Sequence, residues 1–343
     1  MNPVLVSRRE WFSLAAAAGW EAKASAAPPA PEPRNTRSYN ENMEYRRLGR
    51  TNLMISAVSM GGHWKKIPFK PGTEEFHKNR RDVVYACLDH GINYIDACTP
   101  SEVVVYSQAV RERREEIYFG FESTGARNPE IAGSLEKMKQ GLDEALKKCR
   151  MDYVDLWRVT MREQTTRNSL QEIENVVAAM DWARQSGRAR FTGISTHHRP
   201  WIADAVVRYP QIQVVITPYA SGSREKPVGS MFDALRKTDT GFIGIKPFAS
   251  GALFASRGTP ESATRQEDDD RARLALRNVL RCDLLAAAIP GLITVEQVKN
   301  AAAAVKERRQ LDRTEEEKNR QITAEMWRNL PPGYEWLRDW QWV

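Results

Sequence analysis

No G-x-G-x-x-G stands between a candidate first strand and helix, no two cysteines form a C-x-x-C pair, and no uninterrupted apolar run reaches a membrane span. The first absence removes the support for a doubly wound dinucleotide-binding sheet. The second argues against iron-sulfur and structural zinc sites, because Cys87, Cys98, Cys149 and Cys282 are widely scattered; buried free thiols are the expectation for them. The third leaves no stable membrane anchor, since a spanning helix needs roughly 20 apolar residues. A basic stripe is missing as well. The 343 residues carry 51 basic and 44 acidic side chains dispersed along the chain, so the net charge of +7 reads as solvated surface and no nucleic-acid partner is expected.

The N-terminus is distinctive. Ser7, Arg8 and Arg9 precede an apolar stretch from Trp11 to Trp20, and Ala24, Ser25 and Ala26 are small residues suited to a signal peptidase. Residues 1–26 resemble a twin-arginine signal peptide, which implies the twin-arginine export machinery as a partner and a periplasmic destination. Residues 27–42, rich in Pro, Ala and polar side chains, read as a linker.

From residue 43 to 310, eight short apolar runs begin near Ile55, Ile92, Ile117, Tyr153, Ala189, Val214, Gly241 and Ala286, separated by amphipathic stretches with three- and four-residue apolar spacing. Strand then helix, eight times, predicts an α/β fold of the (β/α)8 TIM barrel type. The turn residues Gly49 to Asn52 between two short extended pieces predict an N-terminal β-hairpin closing the bottom of the barrel. Residues 311–343 read as a charged C-terminal helix and an aromatic tail containing Tyr334, Trp336, Trp340 and Trp342, placed either against the barrel wall or as a stacking surface for sugar rings at its mouth.

Taken in order, YRRLGRTNLMISAVSMGG, GINYIDA, MDYVDLWRV, FTGIS and AAIPGLITVEQVKNA, spread over roughly residues 43 to 305, resemble the aldo-keto reductase superfamily. The resemblance implies a carbonyl reductase that binds NADPH without a Rossmann domain and works through an Asp, Tyr, Lys and His tetrad at the C-terminal strand ends. Carried over position by position, Asp96 matches the aspartate. The tyrosine position falls at Ser101 or in a short deletion, Glu122 stands for the lysine and Thr160 for the histidine. On the cofactor side, Ser195 and Thr196 stand for the Ser-Asn pair that grips the nicotinamide amide, and Ile216 for the usual glutamine. Ile289, Pro290 and Gly291 form the surviving turn, Gln297 is kept, and Ile293 replaces a frequent basic contact. NADP or NAD is the implied cofactor, with the usual preference for NADP weakened.

Strand alternation places Leu156, Arg158 and Thr160 inside the barrel and Trp157 and Val159 against the helices. A buried guanidinium needs an acid, and strand order offers Asp96 and Glu122. The candidate catalytic group is therefore Asp96, Glu122, Arg158 and, at the end of the seventh barrel strand, Lys246. Glu122→Gln is expected to destabilise markedly by stranding Arg158. The competing reading is a charge-balanced plug with no chemistry. His63, His197 and Glu122 offer a possible metal set, which suits a second class of function: a metal-assisted or acid/base lyase, epimerase or hydrolase on a sugar-like small molecule. A non-catalytic binding protein is the third. Cys98, two residues past Asp96, has no histidine beside it in sequence and reads as a bystander thiol.

Overall fold

The computed structural model describes residues 31–61, 67–122, 125–162, 167–224, 230–259 and 261–339. The expected signal segment, His63, Trp340 and Trp342 lie outside the described residues.

The hairpin comes first. β1 (Tyr45–Arg47) pairs antiparallel with β2 (Met54–Ser56). The turn between them runs through Gly49 at φ +47, where a side chain would meet the Gly241 amide nitrogen at 2.3 Å; glycine is required by both counts.

Eight parallel strands follow: β3 (Met60–Gly61), β4 (Tyr94–Ala97), β5 (Tyr118–Phe121), β6 (Val154–Thr160), β7 (Ala189–Ser195), β8 (Val214–Pro218), β9 (Gly241–Ile245) and β10 (Leu285–Ile289). They neighbour each other in sequence order. Parallel bridges Val58 to Ala288 and Gly61 to Gly291 join the first edge to the last, so the sheet curls into a barrel. Each of the eight predicted apolar runs overlaps one of these strands.

The connecting helices surround the sheet: α1 (Glu74–Asp89), α2 (Pro100–Ala109), α3 (Pro129–Ala132), α4 (Leu135–Cys149), α5 (Leu170–Gln185), α6 (Arg199–Arg208), α7 (Met231–Thr238), α8 (Arg265–Val279) and α9 (Val295–Lys306). Their apolar faces meet outward residues such as Trp157 and Val159 in the main core. A second core fills the lower barrel. Leu48, Leu53 and Ile55 from the hairpin enter it beside Tyr94, Leu156, Val214 and Ile243. Burying Leu48 and Ile55 there is worth about 1.5–3 kcal/mol each.

Within the described part of the predicted linker, residues 31–42, the chain is tied to this body. Arg37 reaches the buried Asp155 at 3.2 Å, and the Thr36 hydroxyl donates to the Met54 carbonyl at 2.6 Å. At the other end, α10 (Arg313–Arg328) and α11 (Trp336–Asp339) cap a third cluster with Ala249, Leu253 and Leu274.

Candidate active site

Asp96 is the inward residue near the end of β4, and Tyr94 lies one layer below it. Gly120 on the next strand leaves room for that tyrosine: a Cβ there would sit 2.2 Å from the Tyr94 hydroxyl. Burial, then the charge of Asp96, push the Tyr94 phenol well above its ordinary value, so it remains a neutral floor to the site.

Above that floor the Arg158 guanidinium is 1% exposed and every N–H has an acceptor. Nε donates to Asp96 Oδ1 at 2.8 Å and Nη2 to Oδ2 at 3.0 Å, a bidentate pair. Nη2 also reaches Cys98 Sγ at 2.9 Å; Nη1 reaches Thr160 Oγ1 at 2.8 Å and Glu122 Oε2 at 3.4 Å. Thr160 in turn donates its hydroxyl to Glu122 Oε2. Asp96, Glu122 and Arg158 thus meet as their strand parity predicts.

The shares are unequal. Asp96 holds the two shorter, parallel contacts, whereas Glu122 has a longer one and keeps 14% of its side chain exposed toward the mouth. Burial raises the Glu122 pKa, and Arg158 then Thr160 only partly oppose it. Burial works against the Arg158 charge too, but Asp96 and Cys98 outweigh it and raise its pKa well above the ordinary value, so it stays protonated. Glu122 is therefore the group of this cluster placed to exchange a proton with a ligand.

Local sequence explains the scaffold. Thr99 caps α2 in a capping box with Glu102, whose carboxylate also accepts the Cys98 N–H at 2.9 Å, and this fixes the chain just past Asp96. Ser101 is exposed on the first turn of that helix.

Ser195, paired in register with Thr160, ends β7. Its hydroxyl makes no hydrogen bond to another described residue, although the residue is only 6% exposed. Thr196 is buried, with its hydroxyl 3.3 Å from the Arg162 carbonyl. Ile289, Pro290 and Gly291 carry the bridge that closes the barrel, while Gln297 turns its Oε1 back to the Ile293 N–H at 2.9 Å. Ile216 faces the lower core.

Lys246 follows β9 with φ +58, a strained conformation for a residue with a side chain. It does not join the Asp96 cluster; its charge instead acts on His197, whose pKa is lowered to about 3 by burial first and then by Lys246, Arg127 and Arg199.

Of the metal set, His63 lies outside the described residues. Among the described residues no three of His, Cys, Asp and Glu converge as ligands. His197 stacks on Trp336, with ring centroids 4.2 Å apart and planes at 21°, and Tyr334 continues the stack. The tail thereby meets the mouth beside β7, rather than lying only on the outer wall. Two further residues were underrated by sequence reasoning. Cys98 is partly exposed and touches Arg158, a contact hinted at by its shared parity with Asp96. Trp336 gave no signal for its partner, since the two rings are 139 positions apart in sequence, from 336 − 197.

Several known proteins are similar. A protein described as a probable voltage-gated potassium channel subunit beta from Arabidopsis thaliana is 28% identical over 261 residues, covering 69% of this chain and 74% of that protein. L-galactose dehydrogenase from Arabidopsis thaliana is 24% identical over 290 residues, covering 77% and 89%. An aldo-keto reductase from Klebsiella pneumoniae, solved in complex with NADPH, superposes with a TM-score of 0.64 at 18% identity, over 85% of this chain and 97% of that one. Residues 58–323 match the aldo/keto reductase family, and the chain belongs to it.

Proposed function

We propose that this protein is a nicotinamide-dependent oxidoreductase acting on the carbonyl or alcohol group of a small, sugar-like molecule, with Glu122 in place of the missing tyrosine as the proton-transferring group. The observation that carries this reading is the arrangement of Ser195, Thr160 and Glu122 on adjacent strands. Thr160 pairs with Ser195 across β6 and β7 and bonds Glu122 on its other side. Strands lie about 4.8 Å apart, so Ser195 stands roughly two strand spacings from Glu122. The unclaimed Ser195 hydroxyl fits a nicotinamide carboxamide; a bound NADP or NAD supplies the hydride.

This chain's own residues do the rest. In the direction of reduction, Glu122 in its acid form donates its proton to the carbonyl oxygen, and Thr160 holds the carboxyl in place. Arg158, fixed by Asp96, keeps a positive charge beneath the oxygen as negative charge develops on it. In the direction of oxidation, the Glu122 carboxylate takes the alcohol proton. A residue with a raised carboxyl pKa suits both roles better than an ordinary glutamate.

The family relationship and the NADPH complex of the Klebsiella protein support the cofactor assignment. Fluorescence titration with NADPH and NADH, using wild type and Ser195→Ala, tests it. Micromolar binding that weakens in the variant is expected; no binding of either nucleotide would refute the proposal. Residues 1–26 are proposed to direct export through the twin-arginine route, which suits a protein that takes up its cofactor before crossing the membrane. Replacing Arg8 and Arg9 together by Lys should leave the protein in the cytoplasm, and periplasmic recovery of that variant would refute the route.

A further inference from the structure

Arg127 is a cation at the mouth with no fold-level employment. It lies five positions past Glu122, in the loop between β5 and α3, and is exposed. Its side chain makes no hydrogen bond and no ion pair among the described residues, unlike Arg158 with its five acceptors.

Its backbone, by contrast, is held firmly. Ala126 is fully buried, and its carbonyl accepts the Asn168 side-chain amide at 2.9 Å. Asn168 is itself tied to Glu172, and Glu172 closes the capping box of α5 with Ser169. Gly125 packs against the catalytic carboxyl: a Cβ there would meet Glu122 Oε1 at 2.8 Å and the Arg127 nitrogen at 3.7 Å. The anchored backbone at Ala126 therefore places an exposed, charged side chain close to the proton-transferring group. Gly125 thus places the Arg127 backbone beside Glu122 at the mouth end of β5, and the charge of Arg127 acts on both Glu122 and His197.

Lys246 and Arg199 also act on His197, and Arg158 lies beneath. Among the described residues, the carboxylates of this site are Asp96, committed to Arg158, and Glu122. An arginine with no partner among the described residues at the rim of such a site is suited to a planar, bidentate anion.

We propose that Arg127 binds a carboxylate of the substrate, so that the reacting molecule is an oxo acid, or the matching hydroxy acid, whose carbonyl oxygen faces Glu122. The inference rests on the oxidoreductase reading of the same site. Arg127 is a binding and specificity residue here and takes no part in proton transfer.

Two matched pairs of probes test it: glyoxylate against methylglyoxal, and 4-carboxybenzaldehyde against 4-methylbenzaldehyde, with NADPH oxidation followed at 340 nm at about pH 7. Wild type should prefer the carboxylate member of at least one pair. In Arg127→Ala that preference should fall about tenfold through KM, any change in kcat being shared by both members of a pair, and Arg127→Lys should restore part of it. An unchanged preference in Arg127→Ala, or none in wild type while neutral aldehydes are reduced, overturns the proposal.

Calorimetry with 4-carboxybenzaldehyde on the same proteins separates this from the reaction itself. Binding lost in Arg127→Ala supports the carboxylate site even where no NADPH is consumed, an outcome that would count against hydride transfer alone. Equal binding by both proteins overturns the carboxylate site. Weakened NADPH binding in Arg127→Ala, with carboxylate binding intact, would assign Arg127 to a cofactor phosphate and also overturn it.

Discussion

Replacing Asp96 by Asn tests the division of labour inside the barrel. The substitution keeps the shape of the side chain but removes the charge that faces two guanidinium nitrogens at 2.8 and 3.0 Å. Arg158 stays 1% exposed and fully charged, with Glu122 at 3.4 Å as its remaining carboxylate. Removing one partner of a buried ion pair costs about 3–5 kcal/mol. At roughly 2 °C per kcal/mol for a large domain, Tm should fall by about 6–10 °C in a calorimetric scan. Glu122→Gln should cost about 1 kcal/mol or less, because Gln still accepts the Thr160 hydroxyl and Asp96 still neutralises Arg158. That reverses the expectation that Glu122→Gln strands Arg158; strand order names both acids but does not reveal that Asp96 takes the bidentate geometry. Adding Arg158→Met to Asp96→Asn should recover part of the loss by removing the stranded charge. A Glu122→Gln variant that melts as low as Asp96→Asn would refute the reasoning.

Burial raises the Glu122 pKa, so the folded protein holds that proton more tightly than the unfolded chain. The associated stability is present below the ordinary carboxyl range and is lost as pH rises through the raised pKa. The Tm advantage of wild type over Glu122→Gln should therefore shrink from acid toward neutral pH; a growing advantage would contradict the raised value. Carbonyl reduction should decline over the same rise in pH, and Glu122→Gln should lower kcat about 10²–10⁴-fold, as steady-state pH profiles would reveal. His197 has its pKa lowered to about 3, so its contribution is present above the ordinary imidazole range and lost as pH falls from about 6.5 toward 3. His197→Gln should flatten the acid limb of stability between those values, and proton-detected NMR of the wild-type imidazole should show no titration between about pH 5 and 8. Gly120→Ala should destabilise by about 1–3 kcal/mol, since the added carbon meets the Tyr94 hydroxyl at 2.2 Å; an unchanged denaturant midpoint would show that the ring can move aside.

Sequence alone determined the barrel, the hairpin beneath it and the inward set Leu156, Arg158 and Thr160, because each depends on a local period. Eight apolar runs separated by amphipathic helices leave little choice of architecture, and alternation along a strand assigns each residue to a face. Parity also brought Asp96, Glu122 and Arg158 into one group. Tertiary structure decided everything that depends on distance between chain-remote atoms: the bidentate claim of Asp96 on Arg158, the contact with Cys98 and the stack of Trp336 on His197. It also decided that the backbone before Arg127 is tied to Asn168 from the next connection, close to Glu122. The physical reason is the same throughout. Facing direction follows from backbone geometry within a few residues, whereas partner choice follows from barrel stagger and loop packing, which join segments that no short pattern relates.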